Sequence, residues 1–264
     1  MRPEPVAHWV DALETWGIPT EILEQAPQSP WIHPVQTFRP EGNLYVNTPS
    51  RLRALEALDR LPPGAERSVL DVGCGGGRAA FGLTPPATRV IGVDHQQGML
   101  DVFAAEAERR AVACSTVLGD WPEVEQQTPA CPVVTCHHVV YNVAPLTPFV
   151  EALNRHATAR VVMELPQQHP LAVLSPMWLH FWGLERPTSP TAEDALNVVR
   201  SLGHDAHLEQ FEVPVGHRSV TDEGVQFTRI RLCLPAARDA EIREYLLTHP
   251  AGSRSLATIW WDAH

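Results

Sequence analysis

Along the chain, short apolar runs rich in β-branched residues alternate with stretches whose apolar positions recur at helical spacing. The runs at 68–72 (SVLDV), 89–93 (RVIGV), 113–118, 131–136 (CPVVTC) and 160–165 (RVVMEL) predict buried strands. Two more follow at 206–215 and 255–261 (SLATIWW). Between them, Val6, Trp9, Val10 and Leu13 give one face of a helix over 4–15. Thr48 opens a helix over 50–60 with Leu52, Leu55 and Leu58 on one side. Further helices are predicted from His95 to about Arg110, over 147–157 with Thr147 as N-cap and Pro148 at N1, over 191–202, and over 237–248. Residues 221–234 fit either period, and their Thr-Asp-Glu opening favours a helix. Strands alternating with helices predict an α/β chain with a mostly parallel sheet.

Two stretches break this rhythm. Residues 25–48 are rich in Pro, Gln, Asn and Thr, with Trp31, Phe38 and Tyr45 interleaved, so irregular backbone pinned by aromatics is expected. Residues 167–190 form a long insertion in which Trp178, Phe181 and Trp182 fall at helical spacing. An insertion of that length inside a domain is either a functional lid or a hairpin that buries its own aromatics.

Candidate chemistry concentrates in Ser68–Ala80, SVLDVGCGGGRAA. A buried strand runs into a turn holding Gly73, Gly75, Gly76 and Gly77, and a helix starts at Arg78. Residues without Cβ reach positive φ and let a ligand lie against the backbone. Asp71 in the strand is costly to bury unless it holds donors. The letters 75–80 also satisfy the dinucleotide pattern G-x-G-x-x-G/A.

The run D-x-G-x-G-x-G, carried by Asp71, Gly73, Gly75 and Gly77, resembles motif I of the class I S-adenosylmethionine-dependent methyltransferases. Two downstream acids extend the resemblance. Asp94 ends the second strand, 17 residues past Gly77, where an acid can accept both ribose hydroxyls. Asp120 follows the third strand after Gly119; in the resembled family an acid there accepts the adenine amino group, and a dinucleotide dehydrogenase has no such requirement. His95 or Met99 could pack on an adenine face, Trp121 either shields the adenine or packs below its loop, and Arg51 is a candidate for the ligand's carboxylate. The resemblance implies a Rossmann-like, doubly wound, seven-stranded, mostly parallel sheet with an antiparallel last strand. It also implies a helical and irregular N-terminal cap over 1–50 and a core over 51–264 with a lid at 166–190.

After the fourth strand come His137, His138 and Tyr141, at the sheet end where α/β ligands bind. One histidine either orders the loop or serves as a general base near neutral pH. Metal binding by Cys131, Cys136, His137 and His138 is disfavoured, because neighbours on a strand point to opposite faces and no metal-type spacing occurs. No Asn/Asp-Pro-Pro-Tyr/Phe follows the strand, which argues against adenine-N6 and glutamine-N methyltransferases.

Composition narrows the partners. The net charge is −11, which opposes binding to phosphate backbones, and the resemblance to the small-molecule branch of the family around His137–Tyr141 implies a small-molecule acceptor. All 20 basic residues are arginine, excluding lysine base or Schiff-base chemistry. Five scattered cysteines suit a reducing cytoplasm, and no membrane span is expected. The expectation is methyl transfer from S-adenosylmethionine; an NAD(P)-dependent oxidoreductase and a cofactor-binding regulator remain as alternatives.

Overall fold

The computed structural model describes residues 4–30, 44–214, 220–250 and 252–263. Trp31 and Phe38, expected to pin the N-terminal irregular segment, lie outside these described residues. Seven strands form one sheet in the order β3-β2-β1-β4-β5-β7-β6. They are β1 Ser68–Val72, β2 Arg89–Asp94, β3 Ala113–Leu118, β4 Cys131–His137, β5 Ala157–Pro166, β6 His207–Pro214 and β7 Ser253–Asp262. β1 to β5 pair in parallel, and β7 runs antiparallel between β5 and β6. The strand order reverses between β1 and β4, and ligands of open α/β sheets bind beyond the strand ends at such a point.

Side chains alternate across the pleat, so each central strand feeds two cores. One face presents Leu70, Val72, Ile91, Val93, Val134 and Met163 to α6 (Leu146–His156) and α8 (Ala192–Ser201). α1 (Glu4–Glu14) packs along α8 and adds Trp9 to this core, where its indole N–H donates to the Val143 carbonyl at 2.9 Å. The other face presents Val69, Val90, Val133 and Val162 to α3 (Pro49–Asp59), α4 (Arg78–Phe81) and α5 (Gln97–Arg110). On this face Arg160 of β5 is almost wholly buried, between Glu56 of α3 and Asp262 of β7, with Trp260 4.2 Å below its guanidinium.

A third core stands apart. Ile18 and Ile22, the latter in α2 (Thr20–Leu23), pack with Met177 and Trp178 of α7 (Ser175–Trp182). Val225 of α9 (Asp222–Arg231), Leu232, Leu234 and Ile242 of α10 (Asp239–Thr248) complete it. We call this assembly the roof. Arg186 stitches it to the N-terminal segment: its guanidinium lies 5.3 Å from the Trp16 ring and 5.2 Å from the Trp178 ring, and it donates to the Trp16 and Gly17 carbonyls. The residues expected to form one N-terminal cap thus divide, with α1 on the sheet core and 18–26 in the roof.

Element edges differ from the sequence expectation in two useful places. α6 begins at Leu146, so Thr147 lies inside its first turn and makes no side-chain cap; Pro148 still falls where no intrahelical N–H is needed. β4 extends to His137, which brings that residue into register with Glu164 of β5. The ambiguous 221–234 segment is helical, with the Thr221 hydroxyl accepting from the Gly224 N–H at 3.1 Å. Among the described residues no helix is long and apolar enough to cross a membrane.

Candidate functional site

The site is built at the carboxyl ends of β1, β2, β3 and β4. Gly73 and Cys74 both donate their N–H groups to the Val93 carbonyl, which folds the turn after β1 over the end of β2. Gly73, Gly75 and Gly77 take φ of 69°, 49° and 85°. At two of them the protein's own packing forbids a side chain. A Cβ on Gly73 would lie 2.3 Å from Val139 Cγ2, and one on Gly77 2.3 Å from Phe81 Cε2. Asp71 lies beneath the turn. Its Oδ1 accepts from the Thr135 hydroxyl at 2.9 Å and its Oδ2 from the Ala80 N–H at 3.3 Å. Burial pushes its carboxyl up to about 7, against the pull of those two donors.

Asp94 joins three strand ends. Its Oδ2 accepts from Gly75 N–H and its Oδ1 from Gln96 N–H, both at 2.9 Å, while its carbonyl accepts from Gly119 N–H at 3.1 Å. A carboxylate has about four acceptor positions, so lone pairs remain for a diol. Asp120 is exposed just beyond Gly119. On the other side of the turn, two positions past the Asp71–Thr135 pair, His137 is mostly buried, and its Nε2 is a buried nitrogen without a hydrogen-bond partner. Burial pushes its pKa down, so the ring is neutral.

Residues 69–159 match the family model of a methyltransferase domain. The matched segment, about a third of the chain, is similar to the class I S-adenosylmethionine-dependent methyltransferase domains. The dinucleotide reading of the same glycines is not favoured. A ubiquinone biosynthesis O-methyltransferase of Coxiella burnetii is 27% identical over 113 residues, 43% of this chain and 46% of that relative. The chain thus matches about half the length of its curated relative. Among solved structures, the YcgJ protein of Bacillus subtilis superposes with a TM-score of 0.55 at 17% identity, covering 81% of this chain and 99% of that one. The [4+2]-cyclase SpnF superposes at 0.51 and 14% identity, with 81% of each chain covered. These two likenesses show the fold.

The cofactor of the methyltransferase domain is S-adenosylmethionine. The residues present fit it: a turn of positive-φ glycines, a carboxylate with spare lone pairs beside it, an exposed acid on the next strand, and an orphaned buried nitrogen that a polar group would satisfy. The fold brings Gly73, Gly75, Gly77, Asp94, Gly119 and Asp120 together, with His95 exposed next to Asp94. Other candidates stand differently. Met99 is buried in α5, 2% exposed. Trp121 packs beneath its loop, edge-on to His156 at 4.9 Å, with its N–H toward the Phe149 carbonyl. Arg51 is held at the far end of α4 from the turn, where Nε donates to the Gly82 carbonyl at 2.7 Å and Nη1 to Asn47 Oδ1 at 2.8 Å. Tyr141 is buried; its hydroxyl donates to the Pro166 carbonyl at 2.9 Å and its ring stacks on Trp9, so it braces the wall below the site.

His138 is the accessible histidine. Its backbone is in the left-handed region at φ 62°, a costly conformation for a residue with a Cβ. Its Nε2 lies 3.2 Å from Glu164 Oε1. Glu164 did not stand out from the sequence. The available signal was a lone acid in an otherwise apolar strand, RVVMEL, since a buried carboxylate needs partners.

Proposed function

We propose that this protein transfers a methyl group from S-adenosylmethionine to a hydroxyl of a small-molecule acceptor. The observation that carries the reading is the junction of Gly75 with Asp94 at the strand switch point, inside the segment that matches a methyltransferase domain. The relative named as an O-methyltransferase supports an oxygen acceptor, and the net charge of −11 supports a small one.

S-adenosylmethionine, when bound, would supply a methyl group activated by the positive charge of its sulfonium. The chain's own contribution is alignment. Asp94 would hold the ribose hydroxyls, Asp120 the adenine amino group, and the glycine turn, braced by Asp71, gives the backbone room. Holding two reactants in line supplies effective molarities of about 10⁵ M or more. An alcohol or phenol must also lose its proton, and His138 is placed to take it, with the neutral, buried His137 lining the wall. In the roof, Trp178 is buried in that assembly's own core, with Phe181 and Trp182 packed against it. The five free cysteines suit a reducing cytoplasm.

The test is incubation with methyl-labelled S-adenosylmethionine and a panel of small hydroxylated aromatics, read by mass spectrometry. One labelled methyl on an acceptor oxygen, with an equal amount of S-adenosylhomocysteine, is the expected result. Tight cofactor binding with no transfer to any acceptor class would favour the regulatory alternative.

A further inference from the structure

We propose that Glu164 is the positioning residue of a histidine–carboxylate pair in which His138 is the catalytic base, and that Ser50 and Thr258 hold Glu164 in place. This rests on the methyl-transfer reading above.

Glu164 grips His138 twice. The His138 backbone N–H donates to the Glu164 carbonyl at 2.6 Å, and its imidazole Nε2 meets the Glu164 carboxylate at 3.2 Å. Main chain and side chain are therefore referred to the same residue, which accounts for a left-handed φ being tolerated there. The next residue, Val139, closes on Gly73, so the same short segment touches both the carboxylate and the glycine turn.

Glu164 is itself fixed from two other elements. It is 8% exposed in β5. The Ser50 hydroxyl, in the first turn of α3, donates to its Oε2, and Ser50 and Thr258 of β7 share a hydrogen bond of 2.7 Å. Burial opposes the carboxylate's charge, but the two imidazoles when protonated, with the hydrogen bonds from His138 and the Ser50 hydroxyl, outweigh it and hold Glu164 below the usual range. The other charged groups facing this cluster are Arg78 at the start of α4 and Arg254 of β7.

The chemistry follows from the geometry. With Nε2–H donating to the carboxylate, the neutral ring presents its Nδ1 lone pair. The acceptor's proton passes to Nδ1 as its oxygen takes the methyl, and the resulting imidazolium is stabilised by the ionised Glu164. The His138 side chain is 40% exposed and can be reached, whereas that of His137 is 19% exposed, with Nδ1 4.0 Å from the same carboxylate.

Long-range proton–nitrogen NMR of the histidines, in protein saturated with S-adenosylhomocysteine and titrated between about pH 5 and 9, tests this. In the native protein the neutral His138 should carry its proton on Nε2. Glu164→Gln keeps the size but removes the charge, and should lose that Nε2 preference, leaving the two neutral tautomers in comparable amounts. Glu164→Asp should restore part of that loss. S-adenosylhomocysteine affinity should stay within about twofold of the native value in both variants, a change of less than about 0.5 kcal/mol. A native His138 protonated on Nδ1, or a tautomer preference unmoved by Glu164→Gln, would overturn the proposal, and the first needs no variant to fold. Loss of S-adenosylhomocysteine binding by the native protein would instead count against the methyl-transfer reading, and the tautomer can still be read in the free protein.

Discussion

The strand-end site and the roof are built by opposite means. At the site, pieces close in sequence supply a strand, a glycine turn and a helix start, and backbone hydrogen bonds do most of the joining. Gly73 N–H, Cys74 N–H and Gly119 N–H all end on carbonyls of Val93 or Asp94. The roof draws Ile22, Trp178, Leu232 and Ile242 from segments far apart in the chain, and side chains do the joining. A site made from local backbone is specified residue by residue, whereas a roof made from distant apolar faces tolerates exchange provided that volume is kept.

Separating the two regions experimentally sharpens the contrast. The largest effect should come from Trp178→Ala, which empties the centre of the roof and should cost about 3–5 kcal/mol of its local stability. Hydrogen exchange should accelerate in α7, α9 and α10 while the sheet stays protected and S-adenosylhomocysteine affinity holds. Equal acceleration across the sheet would show one cooperative unit and erase the distinction. Next is Gly77→Ala, which adds a strained left-handed residue and a clash with Phe81, together about 2–4 kcal/mol. Denaturant unfolding should show that loss, with cofactor affinity falling in step; an unchanged midpoint would mean that the turn is not fixed by packing.

A pH-dependent effect belongs to Asp71. Its folded carboxyl lies at about 7 against an ordinary 3.8, so its protonated form favours the fold. The associated stability is complete below the ordinary value and is lost as pH rises through about 7, with a slope of at most about 1.4 kcal/mol per pH unit. Asp71→Asn should flatten that slope in thermal unfolding between the two values. A slope identical to the native protein's would show that the carboxyl is not raised.

The same contrast explains what was legible in the chain. The parallel sheet and the glycine turn could be read in advance because each rests on a local rule: short runs of β-branched apolar residues, and positive φ at residues without Cβ. Arg51, Met99, Trp121 and Tyr141 were less legible, because a side chain near a site in sequence can turn away from it. Arg51 turns to Gly82, Trp121 to Phe149 and Tyr141 to Pro166. Glu164 was hidden for the converse reason. Its partners Ser50, His138 and Thr258 lie 114, 26 and 94 positions away (164−50, 164−138, 258−164), and only the sheet register brings them together. The roof was legible only in pieces, since an amphipathic helix does not name its partner.

The central claim is that Asp94 and the glycine turn hold the adenosyl group. Calorimetric titration of S-adenosylhomocysteine into the native protein and into Asp94→Ala tests it most directly, with NADH as the control ligand. The native protein should bind S-adenosylhomocysteine and not NADH, and the variant should bind about 1–3 kcal/mol more weakly. Undiminished affinity in Asp94→Ala, or preference for NADH, would contradict the assignment.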